Sequence, residues 1–437
     1  MKKRLILLSI ILCTAMLFAG GSQEDSGEVV LQFWGAIPPE QGPQELVDNF
    51  NKLHEGEIRV EYTRFVNDDG GNTRLETALM AGEVDVFINY PISSLEKRIN
   101  AGLFYPIDDY LKRDGIDLER DFGPHKYVYN DHYYFIPTYG GPNAYIMYNM
   151  DMIEEAGIEF PENWTWQDYC EIAKKLTHGE GEDKVYGASI GSTILNVEWA
   201  ELAKEAYNGD YMYKPGTTDE TNFDAPAFKA AMDMRYQMEI VDQSAIPYMD
   251  IKTSKMDVAH QYTQGKVAMV WANYHLRDIK NTDDYPHDFK TGFVIAPAFE
   301  ENQEAIYSGG LREWIGISPE SEHKDEAWEF LKYYATEGYY PMCRSNRIPA
   351  WKGADPTIVS DLILGENKDE LFDVAAFENL LFNEPRLVDL QTTRTEGSSQ
   401  LAQMMGEEFE SVLLGEKTVD EALTSLKTRG DALLQSL

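Results

Sequence analysis

The sequence predicts an α/β protein built around a parallel sheet, on three observations. Strand-like and helix-like periods alternate from residue 29 onward, glycines and prolines mark the changeovers, and 437 residues with 43% hydrophobic content can bury the core of two or three domains. VVLQFW, residues 29 to 34, reads as the first strand. GAIPPEQGP follows as a loop, and Pro43 suits a first helical turn because it has no N–H to leave unbonded. Leu46, Val47, Phe50 and Leu53 then recur at helical spacing, and IRVEYTRF alternates as a half-buried strand does. TRLETALMAG is the next helix, stopped at Gly82, and VDVFINY is a short buried strand.

From Tyr133 to Tyr148 the chain reads YYFIPTYGGPNAYIMY, two β-rich pieces interrupted by Pro137, Gly140, Gly141 and Pro142. That interruption is a crossing between two lobes. TWQDYCEIAKKL is a helix capped by Thr165, with Asp168 three residues on to answer it, and Thr418 with Glu421 makes a second capping box near the end. Asp85 is expected to anchor loops or a helix start, and Asp108 and Asp109 to cap the helix that follows them.

The first residues, MKKR followed by the uncharged run LILLSIILCTAMLF and then small residues, have the layout of a secretory signal peptide over 1–21, with a polar spacer over 22–28. Gly21 stands where a lipoprotein signal would have Cys, and Cys13 is preceded by the bulky Leu12, so ordinary cleavage and an unlipidated periplasmic or secreted protein are expected. No other uncharged run is long enough to span a bilayer. Cys170 and Cys343 remain; they could pair in an oxidising compartment or each sit buried. With 38 basic against 75 acidic side chains the net charge is −37, which repels polyphosphate backbones and makes nucleic acid an unexpected partner. The eight His lack metal-ligand spacing, and neither a Walker A nor a G-x-G-x-x-G sequence is present, so no metal and no cofactor are expected. GASIG, residues 187 to 191, matches the G-x-S-x-G of α/β hydrolases, and Asp257 and His260 lie downstream. No oxyanion-hole motif such as HGGG precedes Ser189, which leaves a hydrolase as a remote alternative.

Taken in order, ETALMAGEVDVFIN, GLFYPIDDYL, YIMYNMDMIEEAGIEFPENWTWQDYCEIAKKLT, QGKVAMVWANYH, SGGLREWIGIS with EAWEFLKYYAT, RIPAWK and LLGEKTVDEALTSL resemble one family over nearly the whole mature chain. It is the extracellular solute-binding proteins (family 1) of ABC importers, the sugar-binding group that includes maltodextrin-binding proteins. The resemblance implies a periplasmic-binding-protein-like fold of type II, two α/β lobes with a hinge and an interlobe ligand cleft. It places residues 28–137 plus 299–345 in lobe 1 and 138–298 plus 346–437 in lobe 2. It also implies a monomer, not an enzyme, that captures a sugar or oligosaccharide and delivers it to the transmembrane subunits of an ABC permease.

A sugar offers C–H faces and a rim of hydroxyls, so its site wants flat rings and planar polar side chains; an unmatched polar group in a closed cleft costs about 1–3 kcal/mol. The chain has 8 Trp, 26 Tyr and 19 Phe. Trp34 ends the first strand, and Asn89 with Tyr90 ends another, where a parallel sheet presents its ligand. Tyr139 near the crossing, Trp271 and Asn273 in VWANYH, and Arg312 and Trp314 in GGLREW complete the candidate contacts. A Trp at a strand end is also commonly half-buried packing. Asn273 and His275 stand where the family often has Gly and Trp, which passes the stacking role to Trp271, Tyr274 or His275. His275 is expected to pack or hydrogen-bond rather than bind metal. The alternative is the same fold holding a polyamine, a peptide or another polar solute, or serving a signalling receptor; a cation would need Glu40, Asp85 or Glu313 in the cleft.

Overall fold

The computed structural model describes residues 27–90, 92–141, 145–191, 210–271, 274–297, 307–309, 311–383, 387–389, 394 and 396–437. The predicted signal peptide, the spacer up to residue 26 and Asn273 lie outside the described residues. In chain order the strands are β1 Val29–Gly35, β2 Ile58–Arg64, β3 Val86–Asn89, β4 Val128–Tyr129, β5 His132–Tyr133, β6 Ile136–Tyr139, β7 Tyr145–Asn149, β8 Tyr186–Ser189, β9 Val267–Trp271, β10 Thr291–Ile295, β11 Tyr307–Gly309, β12 Arg312–Ile317 and β13 Leu387–Asp389.

β1 pairs in parallel with β2, from Val29 opposite Ile58 to Gly35 opposite Arg64, and with β3, Trp34 opposite Phe87. Parallel neighbours need a crossover, and the helices Pro43–Leu53 and Asp69–Met80 supply it. In the first, Pro43 opens the helix and Leu46, Val47 and Phe50 are buried, but Leu53 is 68% exposed, so its apolar face ends one turn early. The second starts upstream of the predicted TRLETALMAG because the Asp68 side chain accepts from the Gly71 amide. Gly82 leaves that helix at φ +71°, as its stop role requires.

The first sheet has the order β2-β1-β3-β12-β6 and is mixed rather than wholly parallel, because β12 runs antiparallel to both β3 and β6. β12 follows β11, which pairs with β13 and belongs to neither large sheet. The second sheet has the order β10-β7-β9-β8, with only β8 and β9 parallel among its adjacent pairs. β4 and β5 form a hairpin whose turn residues Asn130 and Asp131 both have positive φ, which matches the right-handed twist of its strands. β11 and β13 pair in parallel.

One apolar cluster fills the first sheet's side of the molecule, where Phe33 meets Phe330 and Tyr334 at ring distances of 5.0 and 5.3 Å. Two others cover opposite faces of the second sheet; adjacent β7 residues Ile146 and Met147 point into different ones, as strand alternation demands. Cys170 belongs to one of these clusters and Cys343 to the other, and both are free thiols, pushed up to about 12 by burial. Both predicted capping boxes form, Thr165 with Asp168 and Thr418 with Glu421. The Asp108–Asp109 cap does not: Ile107 holds the cap position, and the Asp108 carboxylate instead lies 3.2 Å from His132 Nδ1 and accepts from the Tyr133 amide, tying its helix to the hairpin. Among the described residues no helix is long and apolar enough to cross a membrane.

Candidate ligand-binding cleft

Strand direction decides which residues share an edge. β1, β2, β3 and β6 run one way, so their carboxyl ends, Gly35, Arg64, Asn89 and Tyr139, lie along one edge, and antiparallel β12 begins there at Arg312. β8, β9 and β10 likewise end together at Ser189, Trp271 and Ile295, beside the start of β7 at Tyr145. Five residues, 140 to 144, separate Tyr139 on the first edge from Tyr145 on the second, which keeps the two edges close together in the fold. Ligands of α/β sheets bind outside such carboxyl ends. A second segment runs beside the crossing: the Gly140 amide donates to the Ile348 carbonyl at 3.0 Å and the Ala350 amide to the Thr138 carbonyl at 3.1 Å. Gly141 has φ +128°, and a Cβ there would stand 2.7 Å from Ile348 Cδ1, so this close approach requires glycine.

On the first edge two tyrosines pin the loop after β1. The Ala36 amide donates to Tyr90 Oη at 2.7 Å, and Tyr62 Oη donates to the Ile37 carbonyl at 2.6 Å. Burial pushes both phenols well above their ordinary value. Trp34 is 7% exposed, with the Arg74 guanidinium 4.9 Å from its ring centre. Arg312, opposite Tyr139 in register, lies 4.6 Å over the Tyr139 ring. Its Nε and Nη2 are sealed from solvent and have no hydrogen-bond partner. Glu313 beside it has φ +58°, a left-handed backbone rare for a residue with a side chain, and pairs with Arg347 at 3.4 Å. Although burial opposes charge on Arg347, Glu313 and the surrounding tyrosines hold it firmly protonated.

Two predicted contacts are drawn off the open edge. Asn89 is fully buried, its Oδ1 accepting from Arg98 Nη1 at 2.6 Å and Ser94 Oγ at 2.9 Å, while Arg98 also pairs with Glu76. Trp314 is 2% exposed, its ring stacked on His125 and edge-on to Phe135, because β12 pairing turns it into the first core. Asp85 is structural as expected: its carboxylate accepts from the Gln32 amide at 2.7 Å and Ser321 Oγ at 2.5 Å. Tyr62, Arg74 and Arg347 were not among the predicted contacts. The alternation of IRVEYTRF and the RIPAWK block hold two of them, but neither pattern says that they meet.

On the second edge Trp271 is half-buried and stacks on Trp166, ring centres 5.2 Å apart at 21°. Trp164 Nε1 donates to the Ile295 carbonyl at 2.9 Å and fixes the end of β10. Ser189 is 1% exposed and its Oγ has no hydrogen-bond partner. Asp257 is a helix cap, accepting from the His260 amide, and the His260 ring lies against Tyr285, so this pair orients nothing toward the serine. His275 is half-buried and burial lowers its pKa, which favours the neutral ring. Among the described residues no group of His, Cys, Asp and Glu could hold a metal ion.

Two sheets joined by short crossings, with polar and aromatic groups on facing edges, define a two-lobed binding protein of type II periplasmic topology. Residues 36–341 match the family model described as bacterial extracellular solute-binding protein, and the chain belongs to that family. A curated relative, the sn-glycerol-3-phosphate-binding periplasmic protein UgpB of Escherichia coli O6:K15:H31 (strain 536 / UPEC), is 24% identical over 350 residues, 76% of this chain and 75% of the relative. Among solved structures, a sugar transporter from Rhizobium etli in an open conformation aligns with TM-score 0.72 at 17% identity, over 94% of this chain and 100% of that one. An ABC substrate-binding protein from Listeria monocytogenes in complex with cycloalternan aligns with TM-score 0.67 at 20% identity, over 94% and 99%.

Proposed function

We propose that this protein captures a sugar or small oligosaccharide between two lobes and delivers it chemically unaltered to the transmembrane subunits of an ABC permease. The carrying observation is the pair of facing edges, with Tyr139, Trp34, Tyr90 and Arg312 on one side of the crossing and Trp271 on the other. Rings cover C–H faces and the guanidinium and phenols meet hydroxyls. Asn89 and Trp314 then hold the edge in shape rather than touch ligand. We place lobe 1 in residues 28–137 plus 299–345 and lobe 2 in 138–298 plus 346–437, with β6 carrying the first sheet two residues past that boundary to Tyr139, and ligand favours the closed arrangement by its preferential affinity for it. A signal peptide over 1–21 without a lipidated Cys would leave a monomer free in the periplasm or medium. The relatives that bind glycerol phosphate and cycloalternan support a polyol cargo. A polyamine is less well served, since Glu313 is engaged by Arg347 and Asp85 by backbone and serine.

Isothermal titration against mono- and oligosaccharides tests this. Heat with at least one saccharide, recovered intact by mass spectrometry, is expected. Silence with all of them, together with ester hydrolysis lost in Ser189→Ala, would overturn it.

A further inference from the structure

Arg312 stands out among the charged side chains described. In a chain with 38 basic and 75 acidic residues a guanidinium rarely lacks a carboxylate, yet Arg312 Nε and Nη2 are out of solvent and bonded to nothing. Leaving charged donors desolvated costs more than leaving neutral ones, and such a group persists where something outside the free protein satisfies it. The neighbouring acid is taken. Glu313, next to it in the chain, faces Arg347. Three more arginines reach the same edge: Arg64, whose Nε donates to the Ala36 carbonyl, Arg74 over Trp34, and Arg347. A flat aromatic surface, the Tyr139 ring, lies 4.6 Å from the guanidinium. The Nε and Nη2 donors of one guanidinium form a planar fork that matches two oxygens of one carboxylate or phosphate.

We propose that the cargo is an anionic sugar, a polyol bearing a carboxylate or phosphate group, and that Arg312 receives that group through Nε and Nη2 while Tyr139 supports the guanidinium from below. This rests on reading the facing edges as a carbohydrate cleft. The long-range field of a protein with net charge −37 repels anions, so the recognition is local and, once closed, weakly screened by salt.

The test is calorimetric titration with matched pairs: galactose against galacturonate, glucose against glucuronate and glucose 6-phosphate, glycerol against glycerol 3-phosphate. An acidic member is expected to bind at least about tenfold tighter than its neutral partner, and the uronate and phosphate arms tell which anion is meant. Arg312→Gln should shrink that ratio to about twofold or less, with Arg312→Lys intermediate because it keeps charge but loses the fork. Ligand-free Arg312→Met should melt at the same temperature as the parent or higher, since it removes an unsatisfied charge. Neutral sugars binding as tightly as acidic ones overturn the anionic assignment and leave the carbohydrate reading standing. Binding of no member overturns both. A lower melting temperature in Arg312→Met with the acid preference retained makes the residue structural and sinks its receptor role.

Discussion

At the scale of single residues, Glu313 carries the most constraint on the first edge. Its left-handed φ of +58° is unfavourable for a side-chain-bearing residue, and its carboxylate is only 11% exposed against Arg347. Removing the charge strands the arginine: Glu313→Gln is expected to cost about 1–3 kcal/mol in urea unfolding, and an unchanged midpoint would show that the pair is idle. The residues also show where sequence reading stops. Trp34, Tyr139 and Arg312 are legible as edge residues because each ends or begins a strand. Trp314 is two residues further along the same strand, and nothing in GGLREW says that pairing opposite Asn89 and Pro137 turns its ring inward against His125. The burial of Asn89 is hidden from the sequence for a related reason: its partner Arg98 sits on the next helix, and their contact at 2.6 Å is tertiary.

At the scale of elements, local chemistry was the most readable part. Both capping boxes and the Pro43 start follow from side chains within four residues of the backbone groups they satisfy. Strand direction was not readable, because it is set by pairings between segments far apart in sequence, such as Ile315 of β12 with Ile88 of β3. The Asp108 cap failed where a hairpin amide and imidazole competed for the same carboxylate. A stronger clamp lies at the other end of that helix. Asp114 accepts from Arg113, from Trp328 Nε1 at 2.8 Å and from Lys332 Nζ at 3.0 Å, so it joins the helix Asp108–Asp114 to Lys324–Ala335. Arg113 first, then Trp328 and Lys332, hold its carboxyl well below the ordinary value of 3.8. A carboxyl depressed by folding contributes its stabilisation above its unfolded value, and that contribution drains away as pH falls below about 4. Asp114→Asn should therefore cost about 1–3 kcal/mol at pH 7 and progressively less toward pH 2. An equal cost at both pH values would place the effect in packing rather than charge.

At the scale of the whole molecule, the order of blocks along the chain implied two lobes through the family it resembles, and the glycines and prolines between Pro137 and Pro142 marked one crossing between them. What lay beyond the sequence was how narrow those crossings are. Gly140 and Gly141 lie against Ile348 and Ala350, so the two segments of the connection are packed and hydrogen-bonded side by side. Across the same region Arg344 pairs with Glu45, Ser345 Oγ donates to the Gln41 carbonyl, and Lys280 Nζ donates to the Arg344 carbonyl at 2.9 Å. Segment 340–350 is thus held from both sheets' helices, and the proposed closure on ligand bends the chain there. Hinge closure of this kind changes the shape of the molecule without changing its fold.

Small-angle X-ray scattering on ligand-stripped protein, before and after addition of the saccharide that gives heat in titration, tests that motion directly. A smaller radius of gyration with bound saccharide, reversed on dialysis, is predicted. Superimposable profiles at saturating ligand would contradict the account of two edges closing on a shared cargo.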